Sequence, residues 1–300
     1  MPDLTLDVNG PVHVVDHGGD GPAMLLVHGL GGSLLDWRDV AGPLARTHHV
    51  WSLDLIGFGR TPLAGRAPTI AANQEAVDGV AEHAGGGSPV VLVGNSMGGL
   101  ISIVEAARRP HRVAALVLVD PALPRARASR VGVVAAAAFM IMAAPPMGPW
   151  LMGEHTRRRG AERLVDDVLR LCTVDMSRVS SETRHAQVDL TRWRYEQGEP
   201  DRAFLEAARS LLQWLWHRSS VESHIRRVRA PTLLVHGDRD DVVSVAAAAS
   251  VASLRSDWSF RVLADTGHIP QMERPAGFVE LVAGWLEGTQ PAAPVPTSRR

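Results

Sequence analysis

Short apolar runs without polar alternation recur along the first part of the chain: Ala23 to Val27, His49 to Leu53, Val90 to Val93 and Val113 to Val119. Runs of this length, bounded by glycine or aspartate, predict strands buried on both faces. Leu4 to Val8 and Val12 to Asp16 alternate instead, and Asn9-Gly10 between them is a hairpin signal. Helical spacing separates the buried runs. Leu34, Leu35, Trp37, Val40 and Leu44 fall on one side of a helix that Ser33 can cap. Ile70 to about His83 and Leu100 to Arg108 read the same way. Strand and helix in alternation predict an α/β fold, with a parallel sheet covered by helices on both faces. The alternation stops at Leu123, and as far as about Arg229 the pattern is helical and arginine-rich. It resumes with a strand at Thr232 to Val235, a helix from about Val245 to Leu254, a strand at Ser259 to Leu263 and a helix from about Pro275 to Trp285. This order predicts a helical cap at 123–229 inserted between two core segments, 1–122 and 230–288. The end, 289–300, rich in Pro, Ala, Thr and Ser, reads as a disordered tail.

The candidate chemistry sits where one buried run turns into a helix. Val90 to Leu100 reads VVLVGNSMGGL, a strand followed at once by glycines, a serine and a helical period. A serine at the apex of so tight a strand-to-helix turn needs small neighbours, and Gly94, Gly98 and Gly99 supply them; this is the context of the G-x-S-x-G elbow. By itself it also reads as a glycine-rich turn with an incidental serine. A serine nucleophile needs a base, and the base an orienting acid. Acids cluster in His236-Gly237-Asp238-Arg239-Asp240-Asp241, and His268 stands in the loop after Ser259 to Leu263. Each follows a sheet strand, so all would gather at the carboxyl edge of the sheet, where open α/β folds bind ligands.

Composition narrows the classes. An apolar fraction of 45% with 21% charged residues is that of a globular chain. A formal net charge of −1 lacks the basic footprint of a general nucleic-acid binder. Cys172 is the one cysteine, so no internal disulfide and no thiol metal cluster is expected, and a reducing cytoplasm fits best. The start, MPDLTLDVNG, has no basic and apolar leader pattern. Val131 to Gly153 is uncharged but broken by Pro145-Pro146 and Pro149, so a buried helix or pocket wall is expected rather than a membrane span. The thirteen histidines show neither HxH nor HExxH, and no metal site is expected.

The motifs LLVHGLGG, DLIGFGRT, GNSMGG, LLVHGDRDDVV and GHIPQMERP, in this order, resemble the α/β-hydrolase superfamily, in particular its cap-bearing serine hydrolases of the esterase, lipase and C–C bond hydrolase type. The resemblance covers about residues 3 to 122 and 230 to 287, and implies a mostly parallel eight-stranded sheet with a helical cap. It makes Ser96 the nucleophile, His268 the base and Asp240 the acid, with Asp238 and Asp241 as competitors and Asp120 as an alternative acid position. It puts an oxyanion hole at the backbone N–H groups of Met97 and Leu30, and gives His28, Asp54 and Arg60 loop-ordering roles. Relatives that hydrolyse C–C bonds often carry an aromatic residue where this chain has Ile269. Aspartate nucleophiles and paired cap tyrosines, as in haloalkane dehalogenases and epoxide hydrolases, do not match Ser96 and a chain whose one tyrosine is Tyr195.

The cap region carries Phe139, Trp150, Trp193, Trp214, Trp216 and Phe204, with Met140, Met142, Met147 and Met152. Soft apolar side chains suit an apolar acyl or aromatic substrate, although most such residues in any insertion simply pack it onto the core. Phe139, Trp193, Trp214 and Ile269 are the candidate pocket residues, and Arg192 and Arg194 are candidates for reading a carboxylate. The expectation is a cofactor-independent hydrolase of a fairly apolar ester, working as a monomer or homodimer without nucleic acid or a membrane span. The resemblance leaves open the same triad acting as a C–C bond hydrolase of a vinylogous diketone acid, or as a lactonase, thioesterase or acyltransferase; a ligand receptor that has lost catalysis is the rival from another class.

Overall fold

The computed structural model describes residues 3–124, 147–198 and 200–289, with the backbone alone described for 147–159 and 200. The apolar runs form an eight-stranded sheet: β1 (Asp3–Asp7), β2 (Pro11–Gly18), β3 (Ala23–Val27), β4 (His49–Leu53), β5 (Val90–Asn95), β6 (Val113–Val119), β7 (Thr232–Gly237) and β8 (Ser259–Leu263). Their order across the sheet is β1-β2-β4-β3-β5-β6-β7-β8. The first two strands form an antiparallel hairpin, β2 pairs antiparallel with β4, and every later pairing is parallel.

Side-chain alternation divides the core in two. Leu25, Val27, Leu92, Leu116, Leu118 and Leu234 point into one apolar cluster, which is filled from above by α2 (Ile70–Gly85), α3 (Met97–Arg108) and α8 (Val245–Leu254). Met24, Leu26, Val91, Val93, Val117 and Val235 point into the other, against α1 (Arg38–Leu44) and α10 (Pro275–Thr289). Strands covered on both faces have no face left for polar residues, which is why they read as unbroken apolar runs. The edge strand β8 is only half-buried and carries Arg261, a charge suited to a sheet edge.

The insertion supplies α4 (Met147–Cys172, broken at Gly160), a 3₁₀ turn (Met176–Arg178), α5 (Ser181–Gln197), α6 (Pro200–Trp216) and α7 (Arg218–Arg227). It is tied to the main core rather than set apart. Ala207, Leu211, Val221 and Ile225 belong to the same apolar cluster as the sheet. Polar bonds add to this. Asp39 accepts from the hydroxyls of Ser180 and Thr183, and Asp36 from the Gln187 amide. Burial pushes the Asp36 carboxyl up to about 7, against the Gln187 bond that favours its charge. The segment 125–146, most of the uncharged stretch, and the tail 290–300 lie outside the described residues.

Candidate functional site

The elbow is strained as its sequence implies. Ser96 has φ 53 and ψ −117, a backbone region that residues with a Cβ rarely occupy and that is sustained only where the surroundings enforce it. Three bonds do so: Ser96 N–H donates to Val119 O, and Ser96 O accepts from the N–H groups of Leu100 and Ala122. The glycines are needed for close approach. A Cβ on Gly98 would stand 2.4 Å from the carbonyl oxygens of Val27 and His28, and one on Gly94 2.5 Å from Gly98 O. Strand and helix thus touch through backbone, leaving the serine half-buried at their junction.

The His28-Gly29-Leu30 loop follows β3. His28 is fully buried and accepts the Leu55 N–H on Nε2, so its proton lies on Nδ1, which donates to Gly29 O at 2.7 Å. Burial lowers the His28 pKa, in keeping with a neutral ring that orders the loop. A Cβ on Gly29 would stand 3.0 Å from the Ser96 Cβ, so this loop lies against the elbow. Asp54 orders the neighbouring turns, accepting from the N–H groups of Leu34 and Arg60 and from the His13 ring. Among the described residues, the N–H groups of Leu30 and Met97 donate to no other group, which leaves two donors beside Ser96 unspent.

His268 and Asp240 are brought together. The buried His268 ring donates from Nδ1 to Asp240 Oδ2 at 2.7 Å, so that in the neutral ring Nε2 is the accepting nitrogen. Asp240 Oδ1 accepts the N–H groups of Val242 and Val243 at 2.7 and 2.9 Å. Burial pushes the Asp240 carboxyl up, but the His268 ring, His236 and the Val243 N–H outweigh it, so the net shift is downward. The competing acids do not reach the ring: Asp238 and Asp241 are exposed, and Asp238 meets only the Thr266 N–H, at 3.4 Å. Among the described residues no hydrogen bond joins the Ser96 hydroxyl to His268. Such bonds are often long without substrate and tighten in the complex.

Three further buried groups surround this pair: Asp120, the alternative acid position, and Asn95 and His236, to which the sequence assigned no role. Asn95, the last residue of β5, donates from its amide to Val119 O and His268 O, both at 3.0 Å, linking the elbow to the histidine loop. Its one signal was an amide at the end of a wholly buried strand. Asp120, with φ 43, accepts the Gly237 N–H, and burial and then the Asp240 charge push its carboxyl well above the usual range. His236 donates to Val243 O and stands 3.4 Å from Asp240 Oδ2 and 3.7 Å from Asp120 Oδ1. Ligand atoms of Asp120, His236 and Asp240 lie within 4.8 Å of one another, the described grouping with metal-ligand chemistry. Both Asp240 oxygens and His236 Nε2 are committed to protein partners, so these groups serve each other first. Cys172 adjoins the site, its thiol pushed up to about 12 by burial and nearby carboxylates, far from the thiolate a nucleophile requires.

The candidate pocket residues part company. Trp193 is 39% exposed, under the Arg60 guanidinium, and lines a cavity of about 290 Å³ with Gly57, Leu63, Arg194 and Ala203; none of Ser96, Asp240 and His268 lines it. Trp214 packs half-buried on the main core, edge-on to His224. Ile269 is buried in a small apolar cluster with Val165, Leu169, Val179, Val188 and Met272. Phe139 lies outside the described residues. Arg192 pairs with Glu162 and Asp189, whereas Arg194 donates to Gly57 O and lies over the Phe58 ring.

The chain is similar to known proteins along most of its length. The chain is 42% identical over 119 residues to Lipase LipV of Mycobacterium tuberculosis, a match spanning 37% of this chain and 42% of the lipase. It is 26% identical over 282 residues to 2-hydroxy-6-oxo-6-(2'-aminophenyl)hexa-2,4-dienoic acid hydrolase of Metapseudomonas resinovorans, covering 89% of this chain and 85% of that protein. Among solved structures, a membrane phospholipase A superposes with a TM-score of 0.72 at 25% identity, over 96% of this chain and 86% of that one. A family model described as the alpha/beta hydrolase fold matches residues 22–275, most of the sequence. The chain belongs to the α/β-hydrolase family.

Proposed function

We propose that this protein is a serine hydrolase that cleaves carboxylic esters of fairly apolar substrates through an acyl-enzyme. The carrying observation is the 2.7 Å bond from His268 Nδ1 to Asp240 Oδ2, beside a serine held at φ 53. Asp240 fixes the ring so that Nε2 takes the Ser96 proton as Oγ attacks the carbonyl carbon. The carbonyl oxygen, now negative, accepts from the Leu30 and Met97 N–H groups; one such donor is typically worth about 3 kcal/mol in the transition state. His268 returns the proton to the leaving alcohol, and water attacks the acyl-enzyme by the same route in reverse. Similarity to a lipase and a phospholipase supports an apolar ester as substrate.

A fluorophosphonate probe should label Ser96, and Ser96→Ala should abolish both labelling and p-nitrophenyl ester turnover. Full esterase activity in that variant refutes the mechanism.

C–C bond hydrolysis of a vinylogous diketone acid is the second reading, favoured by the relative that aligns over 89% of this chain and is named as a dienoic acid hydrolase. Against it, the residue after the histidine is Ile269, packed into an aliphatic cluster. An acyl-ester chain-length series run beside a vinylogous diketone substrate separates the two.

A further inference from the structure

Glu273, on the short helix α9 (Pro270–Glu273), is only 2% exposed, yet it carries no part of the ester chemistry above. Its carboxyl oxygens face two different parts of the chain. Oε2 accepts the N–H of Gly267, the residue before His268, at 2.7 Å. Oε1 accepts the N–H groups of Val174 and Asp175 at 2.9 and 3.0 Å, on the turn that leaves α4 of the insertion, with the Arg178 guanidinium at 3.4 Å.

The same two segments meet independently. His268 N–H donates to Cys172 O at 2.7 Å. A Cβ on Gly267 would stand 2.4 Å from that oxygen, so the contact needs glycine there. Arg178 reaches across to Asp265, donating to its backbone oxygen at 2.8 Å and its carboxylate at 2.6 Å. The His268 backbone is therefore held from two sides, by the insertion through its N–H and by the sheet through Asn95 and its carbonyl.

We propose that Glu273 is a positioning residue that makes the docking of segment 172–178 and the placement of the His268 ring a single arrangement. The proposal rests on His268 being the base. A hydrogen-bonded carboxylate shared by both segments transmits a shift of one to the other, and a 1 Å misplacement of a catalytic group costs about 100-fold in rate.

The test uses the full chain and Glu273→Gln, which keeps the shape but turns a donor toward one of the two segments. Turnover is measured on p-nitrophenyl acetate, too short to depend on the insertion for binding, and on p-nitrophenyl decanoate. The expected result is a fall in kcat of about 100-fold on both esters with KM for the acetate unchanged. In the free enzyme, the low-field proton resonance of the His268–Asp240 bond should also shift or broaden. Wild-type kcat on the acetate with a raised KM for the decanoate overturns the proposal, since Glu273 then only seats the insertion. Should Glu273→Gln fail to fold, Arg178→Gln, at a partly exposed position, is the second probe; it should lower kcat on both esters by less, and unchanged kcat and resonance overturn the proposal. Esterase activity surviving in Ser96→Ala refutes the proposed function instead, and leaves the resonance to decide the positioning.

Discussion

Replacing Asp240 by asparagine changes one atom, and the surrounding bonds dictate what that atom does. In the wild type Oδ1 is fixed by the N–H groups of Val242 and Val243, and Oδ2 accepts a hydrogen bond from His268 Nδ1–H. The amide oxygen of the variant keeps the two backbone donors, because an NH₂ group there would oppose them. The NH₂ then faces His268 Nδ1, which can only accept. The ring proton moves to Nε2, and the base is lost along with the negative charge that stabilises the imidazolium. In serine proteases the equivalent change lowers kcat about 10⁴-fold. At 1.36 kcal/mol per decade this is about 5.4 kcal/mol of barrier. The assay is steady-state hydrolysis of p-nitrophenyl butyrate by Asp240→Asn and Asp238→Asn, with circular dichroism to show that both are folded. Asp238 is exposed and has one 3.4 Å contact, so its variant should keep near wild-type kcat. A loss below about tenfold for Asp240→Asn, or equal losses for the two, refutes the tautomer argument.

Two further predictions concern stability, one at Glu105, away from the chemistry, and one at the elbow glycine Gly98. Burial pushes the Glu105 carboxyl from 4.5 up to about 7; Gln74 and, at 3.4 Å, Arg109 donate to Oε2, and among the described residues Oε1 has no hydrogen-bond partner. A carboxyl raised in the folded state favours folding in its protonated form, so the contribution of Glu105 is fully present below about pH 4.5 and is lost as pH rises through about 7. The loss amounts to at most about 3.4 kcal/mol. Urea midpoints of Glu105→Gln should lose this slope and exceed wild type at pH 8; parallel wild-type and variant profiles between pH 5 and 8 refute it. Gly98→Ala forces a Cβ to within 2.4 Å of backbone oxygens and should cost about 3 kcal/mol or more, whereas Gly284→Ala, with nothing within 4 Å, should raise the melting temperature slightly. Equal melting temperatures for the two variants refute the close-approach account of the elbow.

Much of the core was legible because burial on both faces of the sheet leaves a one-dimensional trace: β3, β5, β6 and β7 are nearly unbroken apolar runs. The elbow was legible because strand, glycines, serine and helix follow one another in the sequence, although the contact that demands Gly98 comes from Val27 and His28, far away along the chain. The choice among Asp238, Asp240 and Asp241 was not open to periodicity, since a loop has none; it depends on which carboxylate turns inward to a ring 28 residues away. The roles of Asn95 and Glu273 were hidden for the same reason, as each joins segments distant in sequence. The aromatic residues of the insertion were the least readable. Trp193 and Trp214 look alike in composition, yet one lies on a surface cavity and the other against the core. Helical period tells which face is apolar, but not what that face meets.

The sheet order has a consequence for synthesis. β5 and β6 are neighbours in sequence and in space, whereas β6 finds β7 only after the whole stretch between Val119 and Thr232 has been made. Until then Leu116 to Val119 form an open, apolar sheet edge on the growing chain, a template for pairing with another molecule. A polypeptide halted inside the insertion would carry Ser96 and its strained turn without Asp240 or His268 and with one unpaired flank. Premature termination in that stretch should therefore yield chaperone-bound or aggregated chains, not weakly active enzyme.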